Sequence, residues 1–397
     1  MNLLLSLLNG IGDVLFVLLA FLLVLFVVVV IHELGHFLVA RWCGVKVAAF
    51  SVGFGREIYG FNDRHGTRWR LALLPLGGYV KFIDDENPAS VPTSSASKHD
   101  GGTAPVDQDR AGFFHSKPVW QRAAVVAAGP IANFLLAIVI FAIMFATFGT
   151  VSIEPRVSAV VPGTPAAEAG FQAGDLVLSI DGRAIESFGD IQQYVATSPG
   201  RDLDFVVERE GQEIVLTVVP VLKESVDRIA GKHQRPIIGI QSSAEVSKVS
   251  YKDVGPIEAV GLGVHRTWTI VTQTLSYVGD VIMQRQPADQ LGGVIRIADA
   301  SGKVAQLGPE YIIQFIAFVS VSIGLINLFP IPLLDGGHLL FYAIEALRGR
   351  PLSERTQEFG FRIGLALVVA LMLFSTWNDR VVVKSWFEKP PIENQSQ

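Results

Sequence analysis

The chain has 397 residues, of which 50% are hydrophobic and only 17% are charged. Its net charge of −5 is small and gives no sign of nucleic-acid binding, and a mean hydropathy of +0.42 is unusual for a soluble globular protein. We therefore expect a membrane protein with room for several spans and one soluble domain.

The first predicted element is a transmembrane helix within residues 1–40. Eighteen apolar residues run without interruption over positions 14–31, which is long enough to cross a bilayer, and the sequence HELGH follows at positions 32–36. On a helix, two histidines four residues apart share a face and can hold one zinc ion, and the glutamate beside them can take a proton from water. Ionisable groups at membrane depth are costly, which favours a functional site over a polar helix end.

Residues 41–122 form the predicted loop after the first span. In residues 41–82, short β-branched and aromatic runs separated by glycine predict strands that are too apolar for a fully solvated sheet. We therefore expect a membrane-associated β element near the histidine pair. Residues 84–112 are rich in Asp, Ser, Pro and Gly, which predicts a flexible segment. His99 and His115 are expected to be solvated rather than metal ligands.

The second span is predicted at residues 123–150, which contain no charged residue. Gly129, Pro130 and Asn133 interrupt its hydrocarbon character. Small residues favour close packing of membrane helices, and an amide at this depth should find a partner inside the bundle. Asn133 is equally compatible with a hydrogen bond between helices and with a place near the metal.

Residues 154–222 have the composition of a soluble domain, with strand-like runs that alternate with turns. The sequences at 165–170, 174–175 and 180–182 resemble a PDZ domain of the bacterial protease type. PDZ domains bind extended peptides by adding a strand to a sheet edge. The alternative is that this domain only shields the membrane site sterically.

The rest of the chain contains the remaining predicted membrane elements. Residues 223–310 are expected to form a linker and an amphipathic membrane-surface helix. The third transmembrane segment, 311–335, ends in NLFPIPLLDGG, where two prolines break the helix and two glycines permit close approach of the backbone. A fourth transmembrane helix is predicted at residues 359–376.

A catalytic zinc ion with two histidine ligands needs a third protein ligand and an open position for water. Asp335, a lone carboxylate in an interrupted apolar run, is the strongest candidate. Asp299 and Glu345 are weaker candidates, because neither lies in such a run.

Basic residues beside the spans predict the orientation of the chain. Loops 41–122 and 345–358 are rich in Lys and Arg near the span ends, whereas residues 1–13 contain none and only Arg156 follows the second span within twenty residues. This asymmetry places the two loops in the cytoplasm, and the PDZ-like domain and both termini outside. The basic residues concerned are Arg41, Lys46, Arg56, Arg110, Lys117, Arg122, Arg348, Arg350 and Arg355.

HELGH in the first span, the PDZ-like insert and NLFPIPLLDGG in a later span together resemble the site-2 protease family of intramembrane zinc metalloproteases. The sequences PLGGYVKF and KPVWQRAAVVAAGPIAN match its bacterial branch, which is similar to regulators that cleave membrane-bound anti-sigma factors. The resemblance covers nearly the whole chain. This sequence departs from the best-known members in having one PDZ-like segment rather than two.

The resemblance implies a fold, a cofactor and a set of site residues. The fold would be a polytopic α-helical membrane protein with about four transmembrane helices, a membrane-associated β element and one inserted PDZ-like α+β domain. The cofactor would be Zn²⁺. The implied site residues are His32, His36 and Asp335 as metal ligands, Glu33 as the catalytic base, and Asn327, Gly77, Gly78 and Tyr79 for positioning the substrate.

The implied activity is regulated intramembrane proteolysis. The substrate would be a membrane protein with a single transmembrane helix, such as an anti-sigma factor, that a site-1 protease has already trimmed. The enzyme would be a multi-pass protein of the bacterial inner membrane, in contact with the lipid bilayer and with no nucleic acid.

Two functions of other classes remain open. A catalytically inactive scaffold could keep the fold and bind partners through the PDZ-like domain, but the complete set of two histidines, a glutamate and an aspartate argues against it. A metal transporter would be expected to carry ligands along a path through several spans, whereas these ligands gather at one depth.

Overall fold

The computed structural model describes residues 2–84, 112–227, 231–242, 249–283, 288 and 292–380. Four helices among these residues are long and apolar enough to cross a membrane: Val14–Trp42, Val119–Phe148, Pro309–Leu328 and Glu354–Asn378. They leave many apolar side chains exposed, such as Leu19 at 57% and Ile143 at 58%. Exposed apolar surface of this extent suits contact with lipid. The predicted class of polytopic helical membrane protein is confirmed.

The described elements follow one another in a mixed order of helices and strands. The helices are α1 (Asn2–Trp42), α2 (Val119–Phe148), α3 (Pro165–Glu168), α4 (Phe188–Ala196), α5 (Pro256–Ile282), α6 (Val294–Leu307), α7 (Pro309–Leu328), α8 (Asp335–Arg348) and α9 (Glu354–Asn378). The strands are β1 (Val47–Asn62), β2 (Arg68–Phe82), β3 (Thr150–Ile153), β4 (Ala159–Val160), β5 (Leu176–Ile180), β6 (Arg183–Ala184), β7 (Leu203–Arg209), β8 (Gln212–Val218), β9 (Val221–Asp227), β10 (Gly231–Ile237), β11 (Ile240–Gln241) and β12 (Val249–Lys252).

The helix with the histidine pair, α1, belongs to one of two compact units, which comprises residues 1–141, 263–279 and 291–397. Within this unit α1 packs against α6, α7 and the β1–β2 hairpin. In the middle of α1, Val24 and Val28 are buried against Ile316 and Val319 of α7. Near its C-terminal end, a second cluster joins α1 to the hairpin and to α2; its buried members are Phe37, Ala40, Val45, Val47, Phe50, Phe82, Phe114 and Val125.

Strands β1 and β2 form an antiparallel hairpin that starts with Val47 opposite Phe82. Several apolar side chains on the hairpin are exposed, among them Ile58 at 62% and Leu73 at 60%. Such a surface on a sheet that packs against a transmembrane helix is compatible with the membrane-associated element that the sequence predicts.

Asp63 in the hairpin turn ties the hairpin to the end of α1. Its carboxylate accepts hydrogen bonds from the main-chain N–H groups of His65 and Thr67 and from the indole of Trp69, and it forms an ion pair with Arg41. Burial alone would raise the pKa of Asp63, but these hydrogen bonds lower it to about 2. The carboxylate is therefore ionised at neutral pH and holds the turn against α1.

The second compact unit comprises residues 142–262 and 280–290. It contains a four-stranded sheet of order β6-β5-β7-β8, whose apolar face packs on α4. The Asp175 carboxylate is fully buried and accepts two hydrogen bonds, of 2.7 and 2.8 Å, from Arg209. Ile238 joins the same core and β11 pairs with β4, so the domain continues beyond the predicted boundary at residue 222.

The predicted third transmembrane segment, 311–335, is divided in the structure into a helix and an extended stretch. Helix α7 ends at Leu328, and a new helix, α8, starts at Asp335 after an extended stretch with two prolines. Leu333 in this stretch has a φ angle of 113°, which a residue with a Cβ atom rarely adopts. Most of the segment 84–112, including His99, lies outside the described residues.

Candidate metal centre

Three side chains that can bind a metal ion converge where α1 meets the start of α8. The group consists of His32, His36 and Asp335, and their ligand atoms all lie within 4.8 Å of one another. The Nε2 atoms of the two histidines are 3.2 Å apart. Asp335 Oδ2 lies 3.1 Å from Nε2 of His32 and 3.5 Å from Nε2 of His36. Ligand atoms in a tetrahedral zinc site, each 2.0–2.1 Å from the ion, are about 3.3 Å apart, so these residues fit zinc.

The hydrogen bonds around these side chains also suit a metal ion. Asp335 Oδ2 is buried and has no hydrogen-bond partner in the described part of the chain. Burying an unpaired carboxylate oxygen costs free energy unless a cation or a hydrogen-bond donor lies beside it. His36 Nδ1 lies 2.8 Å from the carbonyl oxygen of Val125. Nδ1–H therefore donates to this carbonyl, which leaves the lone pair of Nε2 for a metal.

Asn133 of α2 lies beside His32 and is fully buried. Its amide nitrogen is 3.2 Å from His32 Nδ1, while its Oδ1 has no partner among the described residues. A half-turn of the amide exchanges the two atoms, so that Oδ1 accepts a hydrogen bond from Nδ1–H and Nε2 of His32 is free to bind a metal. The Ser320 hydroxyl of α7 also donates to the main-chain carbonyl oxygen of Asn133 at 2.9 Å. Asn133 thus combines both roles that the sequence left open.

Two glycines allow α1 and α2 to approach each other at the metal centre. A Cβ atom at Gly129 would lie 2.3 Å from Nε2 of His36 and 2.8 Å from Nε2 of His32. A Cβ atom at Gly35 would lie 2.3 Å from the carbonyl oxygen of Ala128. Real Cβ contacts are never so short. The two imidazoles therefore fit between α1 and α2 only because positions 35 and 129 are glycine.

Glycines also determine the position of Asp335. A Cβ atom at Gly336 would lie 2.2 Å from the carbonyl oxygen of Phe329, and one at Gly364 of α9 would lie 1.6 Å from that of Pro332. Helices α8 and α9 can therefore close on the extended stretch 329–334 only because these residues lack side chains. This contact places the Asp335 carboxylate opposite α1.

Glu33 lies against strand β2 in the wall of a cavity of about 270 Å³. A Cβ atom at Gly78 would lie 2.9 Å from Glu33 Cγ, and the main-chain N–H of Val80 interacts with the Glu33 carboxylate. The glutamate that is the candidate base therefore lies between the histidine pair and the edge of the hairpin.

The structure brings most of the predicted site residues to this cavity. The two histidines, Asp335, Glu33, Gly78, Tyr79 and Asn327 line it. Gly77 does not line it. A Cβ atom on Gly77 would point at the ring of Phe54 and lie 2.3 Å from one of its carbons.

The two weaker ligand candidates lie elsewhere. Glu345 accepts a 2.6 Å hydrogen bond from Arg122, so that an ion pair joins α8 to α2. Asp299 forms an ion pair with Lys303 one turn along α6. Among the described residues, neither belongs to the group that could hold the metal.

Two further histidines, His115 and His338, border the cavity, although the sequence predicts a solvated His115 and no role for His338. His115 is half-exposed, and its Nδ1 lies 2.8 Å from Asp84 Oδ2. Burial alone would raise the pKa of Asp84, but hydrogen bonds from His115 and from the N–H of Phe114 lower it. His338 lies one turn after Asp335. The spacing of three residues from the candidate ligand is a signal that could have indicated His338, whereas no local pattern indicates His115.

Comparison with known proteins points to one family. A model described as peptidase family M50 matches residues 20–371. A provisionally named zinc metalloprotease of Agrobacterium fabrum is 47% identical over 359 residues, covering 90% of this chain and 94% of the relative. Metalloprotease MmpA of Caulobacter vibrioides is 43% identical, and the match covers 92% of this chain and 95% of MmpA. Regulator of sigma-E protease RseP of Escherichia coli is 32% identical, and the match covers 91% of this chain and 97% of RseP.

Among solved structures, the PDZ domain of an SdrC-like protein from Listeria monocytogenes is similar to part of the chain. It is 23% identical and covers 22% of this chain and 84% of its own, with a TM-score of 0.18.

Proposed function

Because this chain belongs to peptidase family M50, we propose that it cuts membrane proteins within their transmembrane segments. It is a zinc metalloprotease of the inner membrane that acts on membrane proteins. The more specific proposal is a substrate with a single transmembrane helix, such as an anti-sigma factor, which a site-1 protease has first trimmed. The observation that carries the proposal is the set of three ligand atoms, 3.1–3.5 Å apart, at the end of an apolar helix.

Four side chains would carry the chemistry. His32, His36 and Asp335 would hold the zinc ion, which when bound polarises the scissile carbonyl and makes a water molecule more acidic. Glu33, beside the two histidines, would accept a proton from the water and pass it to the leaving amine. Glu33 lines the cavity together with both histidines, so its carboxylate lies near the place where they would hold the ion.

The hairpin edge and Asn327 would position the substrate. A transmembrane helix hides its carbonyl groups in internal hydrogen bonds, so the substrate has to unwind locally before it can react. Among the described residues β2 pairs only with β1, and Gly78 and Tyr79 on β2 line the cavity. An extended substrate segment could add to this edge as a strand, which would compensate for the lost helical hydrogen bonds.

The decisive experiment measures zinc and cleavage in the same purified protein. The protein in detergent should contain about one zinc ion and cut a model substrate with one transmembrane helix. A chelator should stop the cleavage, and added zinc should restore it. A zinc-loaded protein that leaves several such substrates intact would favour an inactive scaffold, and zinc uptake into liposomes without cleavage would favour a transporter.

We expect the inserted domain outside the cytoplasm and the loop between α8 and α9 inside it. The test starts from Cys43→Ser, which removes the one cysteine. Single cysteines then replace Asp202 and Arg350, both of which are exposed. An impermeant thiol reagent should label the cysteine at position 202 in intact cells and the cysteine at position 350 only after lysis. The reverse pattern would invert the orientation predicted from the basic residues.

We also propose that the inserted domain excludes substrates with bulky extracytoplasmic domains. Strands β3 and β12 pair antiparallel, with Ile153 opposite Val249, so a short Gly-Ser turn can replace residues 155–247 between them. Without the domain, the enzyme should cut an untrimmed substrate that the parent leaves intact. The measurement is cleavage of trimmed and untrimmed forms of one substrate by both proteins.

A matched variant separates exclusion from peptide recognition. Gln192 is exposed and borders a groove between α4 and the segment 236–241. Gln192→Trp should fill this groove and leave the domain in place. If the domain only excludes substrates, this variant cuts trimmed substrate like the parent. Loss of that cleavage in both variants, with zinc retained, would contradict exclusion and favour recognition of the trimmed end.

A further inference from the structure

His338 borders the metal cavity but does not belong to the group that could hold the metal. It lies three residues after Asp335, in the first turn of α8. Side chains three residues apart on a helix are neighbours, and helical side chains lean toward the helix N-terminus. The ring of His338 is therefore directed back toward the Asp335 carboxylate and the cavity.

The His338 ring packs against Phe361 of α9, with 5.5 Å between the ring centroids. It has no hydrogen-bond partner among the described residues. Burial lowers the pKa of His338, although the charge of Asp335 opposes this effect. An imidazole carries at least one N–H donor in either protonation state.

We propose that His338 is a further catalytic residue, whose ring N–H donates a hydrogen bond to the carbonyl oxygen of the scissile peptide as negative charge develops on it. This inference rests on the proposed proteolysis. The other histidines of the cavity are engaged: His32 and His36 converge on Asp335, and the His115 ring bonds to Asp84. His338 is the histidine that is left to meet the substrate.

The role predicts a particular kinetic signature. A donor placed where charge develops binds the transition state more strongly than the ground state, so its removal lowers kcat and leaves KM nearly unchanged. Loss of one such donor lowers kcat by roughly 10²–10³-fold in well-studied cases. A residue that only supported Asp335 would instead lower the zinc content.

The test compares His338→Phe, which keeps a ring but has no N–H, with His338→Gln, which keeps a donor. His65→Asn is the control, because His65 is an exposed histidine at the hairpin turn that contacts Arg41 and does not line the cavity. Zinc content, kcat and KM for a model transmembrane substrate are measured. So are dissociation constants for a hydroxamate peptide, which binds zinc without mimicking the developing oxyanion, and for a phosphinic peptide, which mimics it.

His338→Phe should bind about one zinc ion and the hydroxamate like the parent, and lose about 100-fold in both kcat and phosphinic peptide affinity. His338→Gln should recover part of both, and His65→Asn should match the parent. Unchanged kcat and phosphinic peptide affinity in His338→Phe, or losses that follow the zinc content, would overturn the proposal. A parent that cleaves nothing refutes the proposed proteolysis separately, since inhibitor binding still shows whether His338 contacts the oxyanion mimic.

Discussion

Glu33→Gln should abolish proteolysis and leave about one zinc ion bound to each chain. Glu33 lies beside the candidate ligands without belonging to their group, so an amide there leaves the ligand set intact. An amide cannot accept a proton from water, and loss of a general base lowers the rate by roughly 10²–10⁴-fold. Metal analysis of the purified variant, together with cleavage of the model substrate, checks both parts of the prediction.

Asp335→Ala is the matched comparison for the glutamate variant. Removal of this carboxylate leaves two histidine ligands, so both the zinc content and the activity should fall. The two variants thus differ in bound zinc and agree in lost activity. Full cleavage by Glu33→Gln would contradict the proposed mechanism, and full zinc in Asp335→Ala would contradict the proposed ligand set.

The parts of the site that depend on local sequence could be predicted. A helix places residues four apart on one face, so HELGH at the end of a membrane-spanning run indicates two ligands and a base. Two prolines and two glycines around Asp335 indicate a broken helix at membrane depth, and the structure begins α8 at that residue. These signals require no knowledge of how the spans pack.

The parts that depend on packing between distant segments could not be predicted. The contact of Asn133 with His32 joins residues 101 positions apart, and composition alone left two roles open for this amide. Gly77 and Gly78 are adjacent, yet only Gly78 faces the cavity, because the twist and irregular pairing of the hairpin decide which side each residue takes. The polar segment after residue 222 was expected to be a linker, since no local pattern shows that Ile238 enters the domain core.

Gly129→Ala should remove zinc from the protein, although the substitution adds only one methyl group and lies on a helix that supplies no ligand. The added Cβ would lie 2.3 Å from the candidate ligand atom of His36. If the ring rotated away, it would lose the hydrogen bond from Nδ1 to the Val125 carbonyl oxygen. If α2 moved instead, it would leave Gly35, whose contact with Ala128 keeps the two helices close.

Both ways of relieving the contact displace a ligand, so Gly129→Ala should bind zinc at least about tenfold more weakly, which corresponds to about 1.4 kcal/mol of lost metal affinity. Its zinc content and its activity should fall together. Gly261→Ala is the control, because Gly261 also lies in a helix but a Cβ atom there meets nothing within 4 Å. Alanine favours a helix over glycine by up to about 1 kcal/mol, so the control should be as stable as the parent or more so and bind zinc normally. Metal analysis and thermal unfolding of both variants are the measurements. Full zinc and full activity in Gly129→Ala would show that α1 and α2 can separate without disturbing the ligands, and the role assigned to the close helix contact would then be wrong.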